Sequence, residues 1–179
     1  MNEDGCASLA YQELTGCTDL RAVHTFTLPP EEERQFLEFD TIGIHLPNLK
    51  RLIISNENGR NVGEKQGMNS GRKPFKSFRD FGCSLNALQI IVIRRSGISE
   101  IDGIQCLNNL KEIHMAFNLI SDVLPLSFHR TLEVCDFQAN RIEDFANIEV
   151  LATIAHLRAL NLKANPIAKV CSTREHLFT

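Results

Sequence analysis

Residues 110–123 read LKEIHMAFNLISDV, with apolar side chains at Leu110, Ile113, Met115, Ile120 and Val123 and Asn118 set among them. Their intervals of three, two, five and three residues fit neither the 3.6-residue period of a helix nor the two-residue period of a strand. The same offsets return 22 residues later in LEVCDFQANRIEDF, at Leu132, Cys135, Phe137, Asn140, Ile142 and Phe145. They fit again in LQIIVIRRSGISEI from Leu88 and LRALNLKANPIAKV from Leu157, and LKRLIIS opens an earlier copy at Leu49. The starts at 88, 110, 132 and 157 lie 22, 22 and 25 residues apart. The 39-residue step from Leu49 to Leu88 is one such unit plus an insertion of about 17 residues.

A unit of this length written L-x-x-L-x-L-x-x-N-x-I is the leucine-rich repeat, a short strand, a tight turn and a returning 3₁₀ or helical segment. The expected fold is therefore an α/β leucine-rich-repeat solenoid, with a parallel β-sheet on the concave face and 3₁₀ or short α segments on the convex face. Offsets three and five place Ile91 and Ile93, Ile113 and Met115, Cys135 and Phe137, and Leu160 and Leu162 on the core side of each strand. Asn118, Asn140 and Asn165 follow the strands, where their amides can serve backbone groups opened by the turn, and Ser96 in the same place implies a weaker link. Ile98 and Ile101, Ile120 and Val123, and Ile142 and Phe145 are expected to bury the convex side. FANIEVLATIAHL, in the longest unit, has the apolar spacing of a helix.

End coils need covering, because a terminal repeat otherwise exposes its apolar face. Residues 1–45 are expected to form that cap. SLAYQELTG at 8–16 gives a short helix that covers the first coil with Leu9 and Leu14, residues 20–28 give an edge strand, and PPEEER at 29–34 is exposed. Repeats fill 46–170, and 171–179 form a short end, too little for a second cap. The inserted residues 56–74, NENGRNVGEKQGMNSGRKP, hold four glycines and almost no large apolar group, the composition of a flexible loop.

Function classes can be narrowed on composition. A 179-residue chain with 43% hydrophobic residues sustains one domain with a sizeable core. A net charge of −3 argues against a broad nucleic-acid face, which needs many clustered Lys and Arg. The basic stretch GRKPFKSFR, with Arg72, Lys73, Lys76 and Arg79, reads as a solvated loop edge. The acidic start MNEDGCASLA lacks the form of a secretory signal, and no apolar run approaches a membrane span, so the expected setting is soluble and cytoplasmic. Six cysteines, at 6, 17, 83, 106, 135 and 171, contain no C-x-x-C pair, which argues against zinc, and Cys135 reads as a small buried hydrophobe. Nucleotide-loop, zinc-protease and serine-hydrolase motifs are absent, and neither cofactor nor metal is expected.

Recognition then falls to the outward side of the strands. Alternation points Ile53, Ile90, Val92, Glu112, His114, Val134 and Asp136 away from the core, with Arg94, Ala116 and Gln138 following at offset six and Phe117 one residue further on. The expected contact surface is an apolar group of Ile53, Ile90, Val92, Val134 and Phe117 bordered by Arg94, Glu112, His114, Asp136 and Gln138. Its alternative is a face covered by the N-terminal region or the insertion. His114 beside Asp136 and Glu112 has no accompanying nucleophile, so it reads as part of a solvated ion pair rather than an acid–base centre.

Particular segments go beyond the generic repeat. TDLRAVHTFTL (18–28), IGIHLPNLKRL (42–52), FRDFGCSLNALQIIVI (78–93), SGISEIDGIQCLNNLKEIHMAFNLISDVLPL (96–126) and LEVCDFQANRIEDFANIEVL (132–151) resemble the leucine-rich repeat-containing protein 56 family, outer-dynein-arm assembly factors of cilia and flagella. The resemblance implies a non-enzymatic scaffold that binds outer-arm dynein subunits or intraflagellar transport components, in the cytoplasm and the cilium or flagellum. It supplies no catalytic residues. The insertion at 56–74 departs from the family, which keeps that turn short, and members continue into a long tail beyond the repeats. A general adaptor of the phosphatase-regulatory or spliceosomal kind is the competing reading, since it shares the 22-residue unit.

Overall fold

The computed structural model describes residues 3–28, 39–55, 77–81 and 83–169. Six strands form one sheet in chain order: β1 (Thr25–Thr27), β2 (Arg51–Ser55), β3 (Ile90–Arg94), β4 (Glu112–His114), β5 (Val134–Asp136) and β6 (Ala159–Asn161). Every neighbouring pair is parallel. Between strands the chain returns through 3₁₀ turns at Phe78–Phe81, Ile104–Cys106 and Leu124–Phe128 and through the helix α3 (Phe145–Thr153). The leucine-rich-repeat solenoid expected from the spacing is what the chain forms.

Alternation decides the core. Ile91, Ile93, Ile113, Met115, Cys135 and Phe137 are all buried, as are the convex residues Ile98, Ile101, Ile120, Val123 and Ile142. The corresponding pair of the last strand differs: Leu160 is 42% exposed and Leu162 only partly buried. Their inward offset is the same, but no strand lies beyond β6 among the described residues, so one flank stays open. Phe145, expected on the buried convex side, is also exposed. It opens α3, which Asp144 caps by accepting a hydrogen bond from Ala146 N at 3.0 Å, and at the first helical position its side chain turns outward while Leu151 fills the core.

Two polar rows hold the coils in register. Asn118 Oδ1 accepts from Ser96 N (3.1 Å) and Ile98 N (3.3 Å), while its Nδ2 donates to Ile93 O (2.8 Å) and Met115 O (3.0 Å). Asn140 repeats this one coil on, accepting from Ile120 N (3.0 Å) and donating to Met115 O (2.9 Å) and Phe137 O (3.0 Å). Asn165 continues with Ile142 N (3.0 Å), Phe137 O (2.7 Å) and Leu162 O (3.1 Å). Each amide thus joins its own strand end to the preceding coil. Ser96 turns its hydroxyl back to Arg94 O at 3.0 Å, so the weaker link expected there agrees with its geometry.

A second row, which the repeat pattern did not announce, precedes the strands. Asn48 Nδ2 donates to Arg21 O (2.9 Å), Asn109 Nδ2 to Asn86 O (2.7 Å) and Thr131 Oγ1 to Asn108 O (3.1 Å). All three stand one residue before a repeat start. Asn147 of α3 adds a further tie, its Oδ1 accepting from Val123 N at 2.6 Å.

At the N-terminal end, helix α1 (Glu3–Thr15) is longer than the sequence suggested and ends at Gly16, whose φ of 65° suits a left-handed C-terminal residue. The side chain it buries is Tyr11 rather than Leu9 or Leu14, which are 50% and 37% exposed. Tyr11 stacks on His45 of α2 (Ile42–His45) at 4.8 Å and meets Phe26 at 5.9 Å, so one aromatic fills the first coil. Leu9, two residues away, lies on the far side of a 3.6-residue helix. The edge strand is also shorter than 20–28: Leu20–Ala22 is a 3₁₀ turn capped by Asp19, and only Thr25–Thr27 pairs with β2. Residues 29–34, 56–74 and 171–179 lie outside the described residues.

Candidate protein-interaction face

The sheet face opposite the core is built in rows across the strands. One row runs Thr25, Arg51, Ile90, Glu112, Val134 and Ala159, and the next Thr27, Ile53, Val92, His114, Asp136 and Asn161. Ile53, Ile90, Val92 and Val134 are each half-buried, in contrast to the fully buried residues that alternate with them, while the inserted residues 56–74 that were the alternative cover lie outside the described residues. Ile53, Ile90 and Val92 sit together on β2 and β3, while Glu112 separates Ile90 from Val134. The face therefore has an apolar side toward β2 and β3 and a polar side toward β5 and β6.

On the polar side, side chains satisfy one another. His114 Nε2 lies 3.1 Å from Glu112 Oε2 on its own strand, although Asp136 is its partner in register. Asp136 Oδ1 accepts from Gln138 N (3.2 Å) and Asn161 Nδ2 (2.9 Å), and its Oδ2 stands 4.0 Å from the Arg94 guanidinium. Asn161 also reaches Gln138 Oε1 at 3.3 Å. The Arg94 side chain is 53% exposed, so this ion pair contributes at most about 1 kcal/mol. Such groups fix orientation and specificity more than affinity.

Ala116, expected to face outward, is buried, because β4 ends at His114 and alternation stops with it. Phe117 then takes φ 61°, and Arg95, Ala139 and Ala164 at the same offset take 52°, 54° and 61°. The left-handed residue is a property of each turn that follows β3 to β6, paired with the asparagine or serine that comes after it. A phenylalanine there is costly, because bulky side chains seldom accept positive φ. It gains little burial in return, being 44% exposed, with the Arg95 guanidinium 4.8 Å from its ring centre. Phe117 and Arg95 thus present a stacked aromatic–cation pair at the edge of the face, the kind of group that anchors interfaces.

Among the described residues no group of His, Cys, Asp and Glu is arranged to hold a metal ion, and no helix is long and apolar enough to cross a membrane. No protein-family model matches the chain. It is 34% identical over 154 residues to leucine-rich repeat-containing protein 56 of Homo sapiens, a match covering 86% of this chain and 25% of that protein. The rat and mouse proteins of the same name are 29% identical over 163 residues, so the similarity to leucine-rich repeat-containing protein 56 runs through about 90% of this chain. The chain spans about a quarter of the length of these relatives. A further relative, dynein axonemal assembly factor 11 of Trypanosoma brucei brucei, is 32% identical over 96 residues, covering 54% of this chain and 25% of that protein. Among solved structures, an internalin (inlF) of Listeria monocytogenes aligns with a TM-score of 0.47 at 18% identity, over 68% of this chain and 30% of its own.

Proposed function

We propose that this leucine-rich-repeat chain is a non-enzymatic scaffold that helps outer dynein arms of cilia or flagella to assemble or to be carried into place. Its open sheet face, with Ile53, Ile90, Val92, Val134 and Phe117 as apolar contacts and Arg94, Glu112, His114, Asp136 and Gln138 around them, binds an outer-arm dynein subunit or an intraflagellar transport component. The similarity that runs through 86% of the chain carries this reading. The printed name of the trypanosome relative, a dynein axonemal assembly factor, supports its direction. A half-buried apolar group on an otherwise solvated face supports a protein as the ligand.

Deletion in a flagellated cell is expected to reduce the number of outer arms counted on axoneme cross-sections, and unchanged arms would remove the dynein role. At the level of the face, Val92→Asp with Val134→Asp is expected to weaken capture of dynein or transport subunits from flagellar extract while the circular-dichroism spectrum stays unchanged. Undiminished capture would move the contact surface elsewhere.

A further inference from the structure

Cys83 and Cys106 are 23 residues apart, one more than the repeat period, and the solenoid brings their Sγ atoms to 3.2 Å, within hydrogen-bond distance for sulfur. The meeting is held by its surroundings. Ser77 Oγ donates to Asp102 O at 2.8 Å, and Arg79 pairs with the Asp102 carboxylate at 3.2 Å. Gly103, at φ 90°, lets the backbone of Arg79 approach so closely that a Cβ on residue 103 would lie 2.5 Å from Arg79 N. The 3₁₀ turn Phe78–Phe81 is thereby docked on the coil that carries Cys106. Cys83 is exposed and Cys106 partly so, whereas Cys135 is buried and its thiol is pushed up to about 12 by desolvation.

We propose that Cys83 and Cys106 are a redox-modification site that closes to an intrachain disulfide when the chain meets a low-molecular-weight disulfide. Cys83, the more exposed thiol, loses its proton and attacks one sulfur of the small disulfide, giving a mixed disulfide and releasing one small thiolate. Cys106 then loses its proton and attacks Cys83 Sγ, expelling the second small thiolate. Two protein thiols are oxidised by two electrons in all, the small disulfide is reduced to two thiols, and the two protons leave on them. The hydrogen bond with Cys83, and then burial, hold the Cys106 thiol above its ordinary value, so Cys106 keeps its proton while Cys83 is a free thiol and attacks only after Cys83 carries the small thiol. The new bond clips the coil that follows the insertion to the next coil, on the side away from the open face.

The test incubates the full chain with oxidised glutathione, blocks remaining thiols with N-ethylmaleimide, and maps peptides by mass spectrometry. The expected product is the chain lighter by two hydrogens, with the peptides of Cys83 and Cys106 joined, restored by dithiothreitol and absent from Cys83→Ser and Cys106→Ser. Phenylarsine oxide, which needs two neighbouring thiols, is expected to protect both cysteines from the blocking reagent together. Glutathione left on Cys83 or Cys106 without closure, or closure distributed equally over other cysteine pairs, would overturn the proposal. Native circular dichroism of the two serine variants excludes misfolding as the cause of a missing product.

Discussion

Cys135 and Leu160 occupy the same offset in consecutive repeats, yet one is 1% exposed and the other 42%. In the middle of the stack, coils on either side enclose Cys135, so even a thiol, a small and weakly hydrophobic group, is sealed from water. Leu160, the better hydrophobe, has a coil on one side among the described residues. Burial in a solenoid is thus conferred by the neighbouring coil rather than by the residue, and stability is a sum of interfaces between neighbours.

The sharpest way to break that contrast is Phe137→Ala against Leu160→Ala. Phe137 is fully buried, and its truncation is expected to cost about 3–5 kcal/mol in urea unfolding. Leu160→Ala is expected to cost much less, about 1 kcal/mol, since at 42% exposure nearly half of the transfer gain is already forgone and no tight cavity is left. Equal losses would mean that the last coil is covered as well as the middle one.

Next in size is the amide row. Asn140→Ala leaves Ile120 N without its acceptor and removes one of the two amide donors from each of Met115 O and Phe137 O, at an expected cost of roughly 1–3 kcal/mol. Ser96→Ala removes only a bond to Arg94 O within its own turn and is expected to shift the urea midpoint much less. A smaller effect, dependent on pH, belongs to His129, which is buried with Nε2 at 2.9 Å from Ile104 O. Burial lowers its pKa in the folded chain, partly offset by that hydrogen bond, so the folded state holds the neutral ring. The unfolded chain takes up the proton first as pH falls below about 6.5, so this contribution is present above that pH and lost toward the depressed folded value. Thermal melts are expected to show His129→Gln losing less stability than the parent chain between neutral and mildly acidic pH. Parallel pH profiles would show that His129 takes up its proton equally in the folded and unfolded states, against the depression by burial.

Legibility followed the same division between repeat and context. Offsets repeated from 88 to 165 located the strands, the inward pairs and the asparagine row, because each is imposed by a coil that recurs. Leu160 was misjudged because periodicity encodes direction, not coverage. Tyr11 escaped notice because the cap lies outside the repeat frame, where Leu9 and Leu14 looked the better apolar pair. Asn48, Asn109 and Thr131 share an offset and were visible in principle, but polar residues before a strand resemble any turn. Cys83 and Cys106 looked distant along the chain, although a separation close to one period is what places residues on adjacent coils. For the open face, alternation supplied the residues, while the exchange of His114 from Asp136 to Glu112 depended on side-chain geometry.

Despite the 39-residue step between their repeats, β2 and β3 pair without a slip over five residues, from Arg51 with Ile90 to Ser55 with Arg94. The ladder accordingly accommodates an additional passage of polypeptide between two of its rungs. An experimenter who needs to attach an epitope tag or a fluorophore can place it between Ser55 and Ser77, where the chain already runs about 17 residues longer than one repeat and the strands on either side keep their partners.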